Sequence, residues 1–177
     1  MSSLSSLRLA TERDLPAICL LAEDLAAIHH EEMPTVFAPP SGGERDAQYW
    51  RDSICGEDRA AFLLERDGAP IGFISVAVAS ETSTILQPAR FVRINSVCVC
   101  DAWRGQGLGR KLLEAAETWG IQRGATEARL SVAAFNQRAL ALYQELGYSV
   151  RTHALAKAFA SHDSNRWHTD QAGSGQA

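Results

Sequence analysis

The sequence contains no apolar run near the ~20 residues that a bilayer-crossing helix needs, so a membrane role is not expected. Its first residues, Met1 to Arg8, carry neither a basic stretch nor an unbroken apolar core, so no secretory signal is read there and a cytoplasmic location is expected. Cysteine is sparse. Cys19, Cys55, Cys98 and Cys100 form no CxxC pair and complete no metal-ligand spacing with histidine. They read as small buried thiols in a reducing compartment, and no metal is expected. Cys98 and Cys100, two apart, would face the same side of one strand. An excess of positive charge is also missing: 17 Lys and Arg stand against 21 Asp and Glu, a net charge of -4. That balance argues against a nucleic-acid partner, which calls for a basic stripe.

What is present suits one domain with its own core: 177 residues, 46% hydrophobic and 21% charged. Leu7 to Ala10 reads as a first strand. Thr11 and Asp14 resemble a capping pair, with Pro16 still in the first turn. Leu15, Ile18, Ala22 and Leu25 recur at helical spacing and predict a helix to about Ile28, closed by His29 to Pro34. The segment from Pro34 to Gly43 holds three prolines and two glycines and reads as a loop, and Glu44 to Ile54 as a second helix. Two strands, Ala61 to Leu64 and Ile71 to Val78, flank the turn signal Asp67-Gly68. Phe91 to Cys100 is a fourth strand, apolar on both sides as a central strand is. Leu108, Leu112, Ala116 and Trp119 mark a long helix stopped near Gly124. A strand over Ala128 to Ala133 follows. A helix capped by Asn136 then carries Leu140, Tyr143 and Leu146 on one face. Gly147-Tyr148 stops it, and a last strand is predicted over Tyr148 to Leu155. The order β-α-α-β-β-β-α-β-α-β implies an α+β layered domain.

The informative segment runs from Val97 to Lys111. A buried strand leads into a turn with Gly105, Gly107 and Gly109, and an amphipathic helix starts at once. Glycines let backbone approach a phosphate, and the unpaired amides and dipole of a helix N-terminus favour an anion there. Arg104, Arg110 and Lys111 add positive charge, and Trp103 reads as a packing residue before the turn. A phosphate loop of the GxxxxGK[ST] kind is not supplied after Gly105. A GxGxxG dinucleotide turn meets Arg110 where its third glycine belongs, although Glu127 lies where a ribose-binding acid would, and no repeated βαβ array follows. The pattern R-x-x-G-x-G is satisfied by Arg104, Gly107 and Gly109.

This segment resembles motif A of the GNAT superfamily of N-acetyltransferases. Ser131 to Tyr148, with Asn136, Tyr143 and the ending Tyr143-x-x-x-Gly147-Tyr148, is similar to the family's motif B. Arg8 to Asp14 looks like its usual first strand and helix cap. The likeness covers about Leu7 to Leu155. It implies a single domain over 7–157 with flexible termini at 1–6 and 161–177, and a mixed, mostly antiparallel sheet of six to seven strands flanked by helices. It also implies acetyl-CoA as cosubstrate, an amine-bearing acceptor, and dimers as a frequent assembly.

Roles follow from the resemblance. Backbone groups of Val97, Cys98 and Val99 would meet the pantetheine arm, as an added strand edge does. The amides of Arg104, Gly105, Gln106, Gly107, Leu108, Gly109 and Arg110 would hold the pyrophosphate. Asn136 would bond the arm near the sulfur, besides capping its helix. Tyr143, seven residues on, would protonate the departing thiolate. Relatives often carry a Glu as base on the fourth strand. Here that stretch is Ile94-Asn95-Ser96, and Asn95 accepts no proton at useful pH. The base is left open among Glu31, Glu32, Glu81, His29 and His30, or a water oriented by Asn95. His29 to Glu32 reads as a solvated helix end rather than a metal cluster, because adjacent helical residues point ~100° apart. In the family's architecture that segment walls the substrate pocket, so it is expected to receive a cationic amine. A rival reading keeps the cradle but not the chemistry: a non-catalytic acyl-CoA-binding sensor.

Overall fold

The computed structural model describes residues 5–42, 46–54 and 56–159. Glu44, where the second helix was expected to start, Cys55 and the tail beyond 159 lie outside the described residues, as do residues 1–4. Five strands form one sheet in sequence order: β1 (Ser5–Leu9), β2 (Arg59–Arg66), β3 (Ala69–Ser80), β4 (Arg90–Val99) and β5 (Glu127–Leu130). The first four are antiparallel neighbours, and β5 runs parallel to β4. The α+β layered fold is as expected, with five strands in place of six to seven.

Helices α1 (Leu15–Glu32) and α2 (Ala47–Ile54) cover one face. Ile18, Leu21, Trp50, Ile54, Leu63, Phe73 and Cys98 make that core, with Cys100 packed against it. So Cys98 and Cys100 do share a side. Helices α3 (Leu108–Ile121) and α4 (Gln137–Glu145) cover the other face, where Leu112, Leu113, Ala116 and Trp119 meet Ile74, Val76, Val92 and Ile94. The hairpin forms at Asp67-Gly68, both with positive φ. The entry to α1 is tied down by Arg8, whose guanidinium reaches Asp14 and Glu65 at 2.8 Å each. That contact, helped by the Thr11 amide at 2.8 Å, holds the Asp14 carboxyl well below the usual carboxylate range.

Three expectations need correction. Helix α1 continues past Ile28 to Glu32, so His29 and His30 sit in its last turn. β5 stops at Leu130 rather than Ala133, because Ser131 to Ala133 part from β4. No strand forms over Tyr148 to Leu155. Beyond Tyr148, which packs on the core, its side chains are exposed, Leu155 to 94%, and among the described residues no strand pairs with it.

Candidate active site

A β-bulge and a parting of strands create the site. The β3–β4 register slips between Ser75 and Val76, pairing Ser75 with Ser96 and Val76 with Ile94, so Asn95 is the extra residue. On the other side, the β4–β5 ladder ends at Ile94–Leu130. From Asn95 to Val99, β4 therefore pairs with no strand on that side among the described residues, and its first three residues border a cleft. Asn95, Ser96 and Val97 form one wall, with Asn136 and Tyr143 from α4 and Leu25 and His29 from α1 completing it. Cys98, by contrast, turns its side chain into the α1 core, where its thiol meets the Leu21 carbonyl.

At the far end of β4 the chain passes a 3-10 turn, Asp101–Trp103, and enters the glycine loop. Gly105 (φ +79) and Gly107 (φ +76) take left-handed backbone, and α3 starts directly after. Gly109 serves a different purpose: a Cβ there would lie 3.3 Å from Leu142, so this glycine lets α3 approach α4. The charges expected around the loop divide. Arg104 folds back, its Nε donating to the Val99 carbonyl at 2.9 Å and its guanidinium pairing with Asp101. Lys111 points away, donating to the Ser5 carbonyl at 3.0 Å. Arg110 reaches Glu145 at 3.5 Å. Gln106 accepts from Arg66 at 3.4 Å, and Arg66 in turn lies over the Trp103 ring, bracing the loop from outside.

A cation that sequence reasoning did not single out also reaches the loop. Arg138, in the first turn of α4, brings Nη2 within 3.6 Å of the position a Gly105 Cβ would occupy. It stands two residues after Asn136, which would have been the signal for it. The loop thus combines glycine backbone, a helix N-terminus and a guanidinium, a donor set that suits a diphosphate.

Asn136 caps α4, its Oδ1 accepting from the Ala139 amide at 3.1 Å, which leaves its NH2 donors for the cleft. Tyr143 is buried, 7% exposed, and packs near Tyr148. Its hydroxyl has no protein hydrogen-bond partner among the described residues, and burial raises its pKa. His29 packs edge-on against Phe37 and Phe135, and its Nδ1 lies 2.8 Å from the Leu25 carbonyl. Of the five residues considered as base, His29 alone lines this cleft. Glu31 and Glu32 are exposed at the helix end. His30 bonds the Phe37 carbonyl. Glu81 is held by Arg129 at 2.6 Å, a contact that lowers its pKa and makes it a poorer base. No described cysteine is a ready nucleophile: burial pushes the Cys98 thiol up to about 12 and also raises Cys19 and Cys100.

The profile of the Acetyltransferase (GNAT) family matches residues 23–148. The chain belongs to that family. Among relatives of this GNAT chain, an aminoglycoside N(6')-acetyltransferase type 1 of Salmonella typhimurium is 24% identical over 89 residues, covering 50% of this chain and 61% of that enzyme. A thialysine N-epsilon-acetyltransferase of Bos taurus is 32% identical over 65 residues, 37% of this chain and 38% of that protein. The match thus spans less than two thirds of the length of both. In structure, a BH1408 mutant protein from Bacillus halodurans matches with TM-score 0.80 at 21% identity, over 88% of this chain and 99% of that one. The aminoglycoside N-acetyltransferase AAC(6')-Iy, solved with CoA, matches with TM-score 0.70 at 18% identity, over 91% of this GNAT chain and 98% of its own. These likenesses establish the fold. Among the described residues no helix is long and apolar enough to cross a membrane, and no group of three metal-ligating side chains occurs.

Proposed function

We propose that this protein is an N-acetyltransferase that passes the acetyl group of acetyl-CoA to a primary amine by direct attack in a ternary complex. The observation that carries this reading is the parting of β4 from β5 beyond Ile94, which leaves strand backbone facing Asn136 and Tyr143 across a cleft. The amides of the Arg104 to Arg110 loop and the Arg138 guanidinium would hold the diphosphate. The backbone of Val97 to Val99, apart from the Val99 carbonyl that Arg104 occupies, and the Asn136 amide would hold the arm. When bound, the coenzyme supplies an acetyl group activated as a thioester.

The chain's own groups then manage charge and protons. An amine nucleophile must lose a proton, and His29 Nε2 is the acceptor placed on the cleft wall. A free β4 amide polarises the carbonyl as the carbon–nitrogen bond forms. The carbon–sulfur bond breaks with the electron pair on sulfur, and the Tyr143 hydroxyl supplies the proton that sulfur then needs. Burial suits Tyr143 to that task, since a raised pKa keeps the hydroxyl protonated through neutral pH. The raised thiol pKa values disfavour a route through an acetylated cysteine.

A second reading, an acyl-CoA-binding sensor without turnover, is kept in view by the exposed Asn95 at the bulge, where relatives often carry an acid. One experiment separates the two. CoA release is followed with a panel of amines while acetyl-CoA binding is measured by calorimetry on wild type and Gly107→Val. Turnover on at least one amine, with binding lost in the variant, supports the enzyme. Tight binding without turnover on any amine favours the sensor, and unchanged binding by Gly107→Val removes the cradle.

A further inference from the structure

The sheet register sets Arg59 of β2, Ala77 of β3, Arg93 of β4 and Arg129 of β5 side by side. Neighbouring strands lie ~4.8 Å apart, so the backbones of Arg59 and Arg93 are roughly 10 Å apart, with only the Ala77 methyl between them. That gap is part of a pocket of ≈ 450 Å³ lined also by Tyr49, Ser53, Asp58 and Asn95. Its volume falls in the range of about 300–1,000 Å³ typical of small-molecule sites.

The charges around it do not cancel. Arg129 is neutralised by Glu81 and Glu127, each at 2.6 Å. Asp58 is engaged by Arg90 at 3.1 Å. Among the described residues Arg59 meets the Asp52 carbonyl, at a long 3.4 Å, and Arg93 the face of Phe91, 5.5 Å from its centroid. Neither has a carboxylate partner among the described residues. Two uncompensated guanidiniums therefore share one pocket in a chain whose net charge is -4. Guanidinium is the group that grips a carboxylate or phosphate with paired, charge-assisted hydrogen bonds.

Asn95 lines both this pocket and the cleft that holds His29 and Tyr143. The bulge residue thus stands on the wall of both spaces, beside the proposed reaction centre. We infer that the acceptor is a primary amine that also carries an anionic group, carboxylate or phosphate, held by Arg93 and Arg59 while the amine reaches past Asn95. This rests on the acetyltransfer reading above. It differs from the expectation of a pocket built for a cationic amine: Glu31 and Glu32 are exposed, and the pocket that shares Asn95 with the cleft carries two arginines. A polycation such as an aminoglycoside would bring like charge against both arginines.

The test uses four amines of similar length: γ-aminobutyrate, O-phosphoethanolamine, n-butylamine and putrescine. In the wild type, kcat/KM for at least one of the two anionic amines should exceed that for n-butylamine and putrescine by about tenfold or more. Which of the two leads identifies the anion. In Arg93→Gln that ratio should collapse towards one, mainly through KM, with Arg59→Gln as the second variant and the melting temperature and acetyl-CoA affinity as checks on folding. Equal or better use of n-butylamine or putrescine, or a ratio that survives both variants, overturns the inference. Calorimetry of γ-aminobutyrate and O-phosphoethanolamine on CoA-saturated protein decides the matter without turnover. Binding that Arg93→Gln weakens supports the anion pocket even if no acetyl group is transferred, in which case the acetyltransfer reading alone fails. No binding of either anion to the wild type refutes the pocket.

Discussion

His29 and Leu25 stand one helical turn apart on α1, and the 2.8 Å contact between Nδ1 and the Leu25 carbonyl fixes which imidazole nitrogen can act. A carbonyl only accepts, so Nδ1 carries the proton of the neutral ring and Nε2 keeps its lone pair. Phe37 and Phe135 hold the ring in that orientation. A positioned base contributes about 10²–10⁴-fold, so His29→Gln is expected to lower kcat by about two orders of magnitude. Acetyl-CoA affinity, read by calorimetry, should stay within about twofold, because the proposed role of His29 is on the amine side. The deficit should narrow as pH rises towards the pKa of the acceptor amine, where the nucleophile loses its proton unaided. A variant with normal turnover at neutral pH would move the base elsewhere.

Tyr143→Phe keeps the ring, its burial and its packing against Tyr148, and removes only the hydroxyl. The expected loss is about 10–100-fold in kcat with little change in acetyl-CoA affinity or in melting temperature. Burial raises the Tyr143 pKa, so its proton is retained up to and beyond the ordinary phenol value of about 10. Any alkaline decline of kcat that comes from this group therefore lies above that value, and it should vanish in the Phe variant. A decline at lower pH that both proteins share would belong to another residue.

Arg138 brings its guanidinium to the Gly105 backbone, whereas Arg104 and Lys111 spend their side chains on Val99, Asp101 and Ser5. Replacing Arg138 by Gln should weaken acetyl-CoA by about tenfold, as the loss of one charge-assisted contact predicts. Lys111→Gln should leave that affinity nearly unchanged. The Arg138 effect should also shrink at high salt, where exposed charges are screened. Equal effects from the two variants, measured by calorimetry at low and high salt, would place the positive charge of the cradle wrongly.

The glycine loop and the Asn136 cap were legible in the sequence because each is written in consecutive residues whose type the backbone itself demands: left-handed φ at Gly105 and Gly107, an oxygen acceptor for the Ala139 amide. The hairpin at Asp67-Gly68 was legible for the same reason. The last strand was misread because a segment that follows a helix stop forms a strand only with an edge to pair, and Ser131 to Ala133 do not extend one. The basic pocket was invisible for a related cause. Arg59 and Arg93 are far apart in the chain and become neighbours of Ala77 only through two strand registers. His29 stood among five possible bases until the folding of α1 and the Phe37 loop set it, and not its neighbours, on the cleft wall.

Gly120 tests the packing that holds β4 and α3 in place. It lies in the last turn of α3, where alanine is intrinsically the better helix former by about 1 kcal/mol. Propensity alone predicts that Gly120→Ala stabilises the protein. A Cβ at this position, however, would fall 2.6 Å from Val92 Cβ and 2.8 Å from its Cγ1. Val92 is 2% exposed and β-branched, on the central strand whose parting from β5 shapes the cleft, so it has no room to give way. Overpacking of this kind costs about 1–3 kcal/mol and more than offsets the helical gain. Urea denaturation should therefore show Gly120→Ala less stable than wild type, and Val92→Ala in the same background should recover part of the loss relative to Val92→Ala alone. A stabilised Gly120→Ala would mean that α3 stands further from β4 than the 2.6 Å contact implies, and the cleft floor with it.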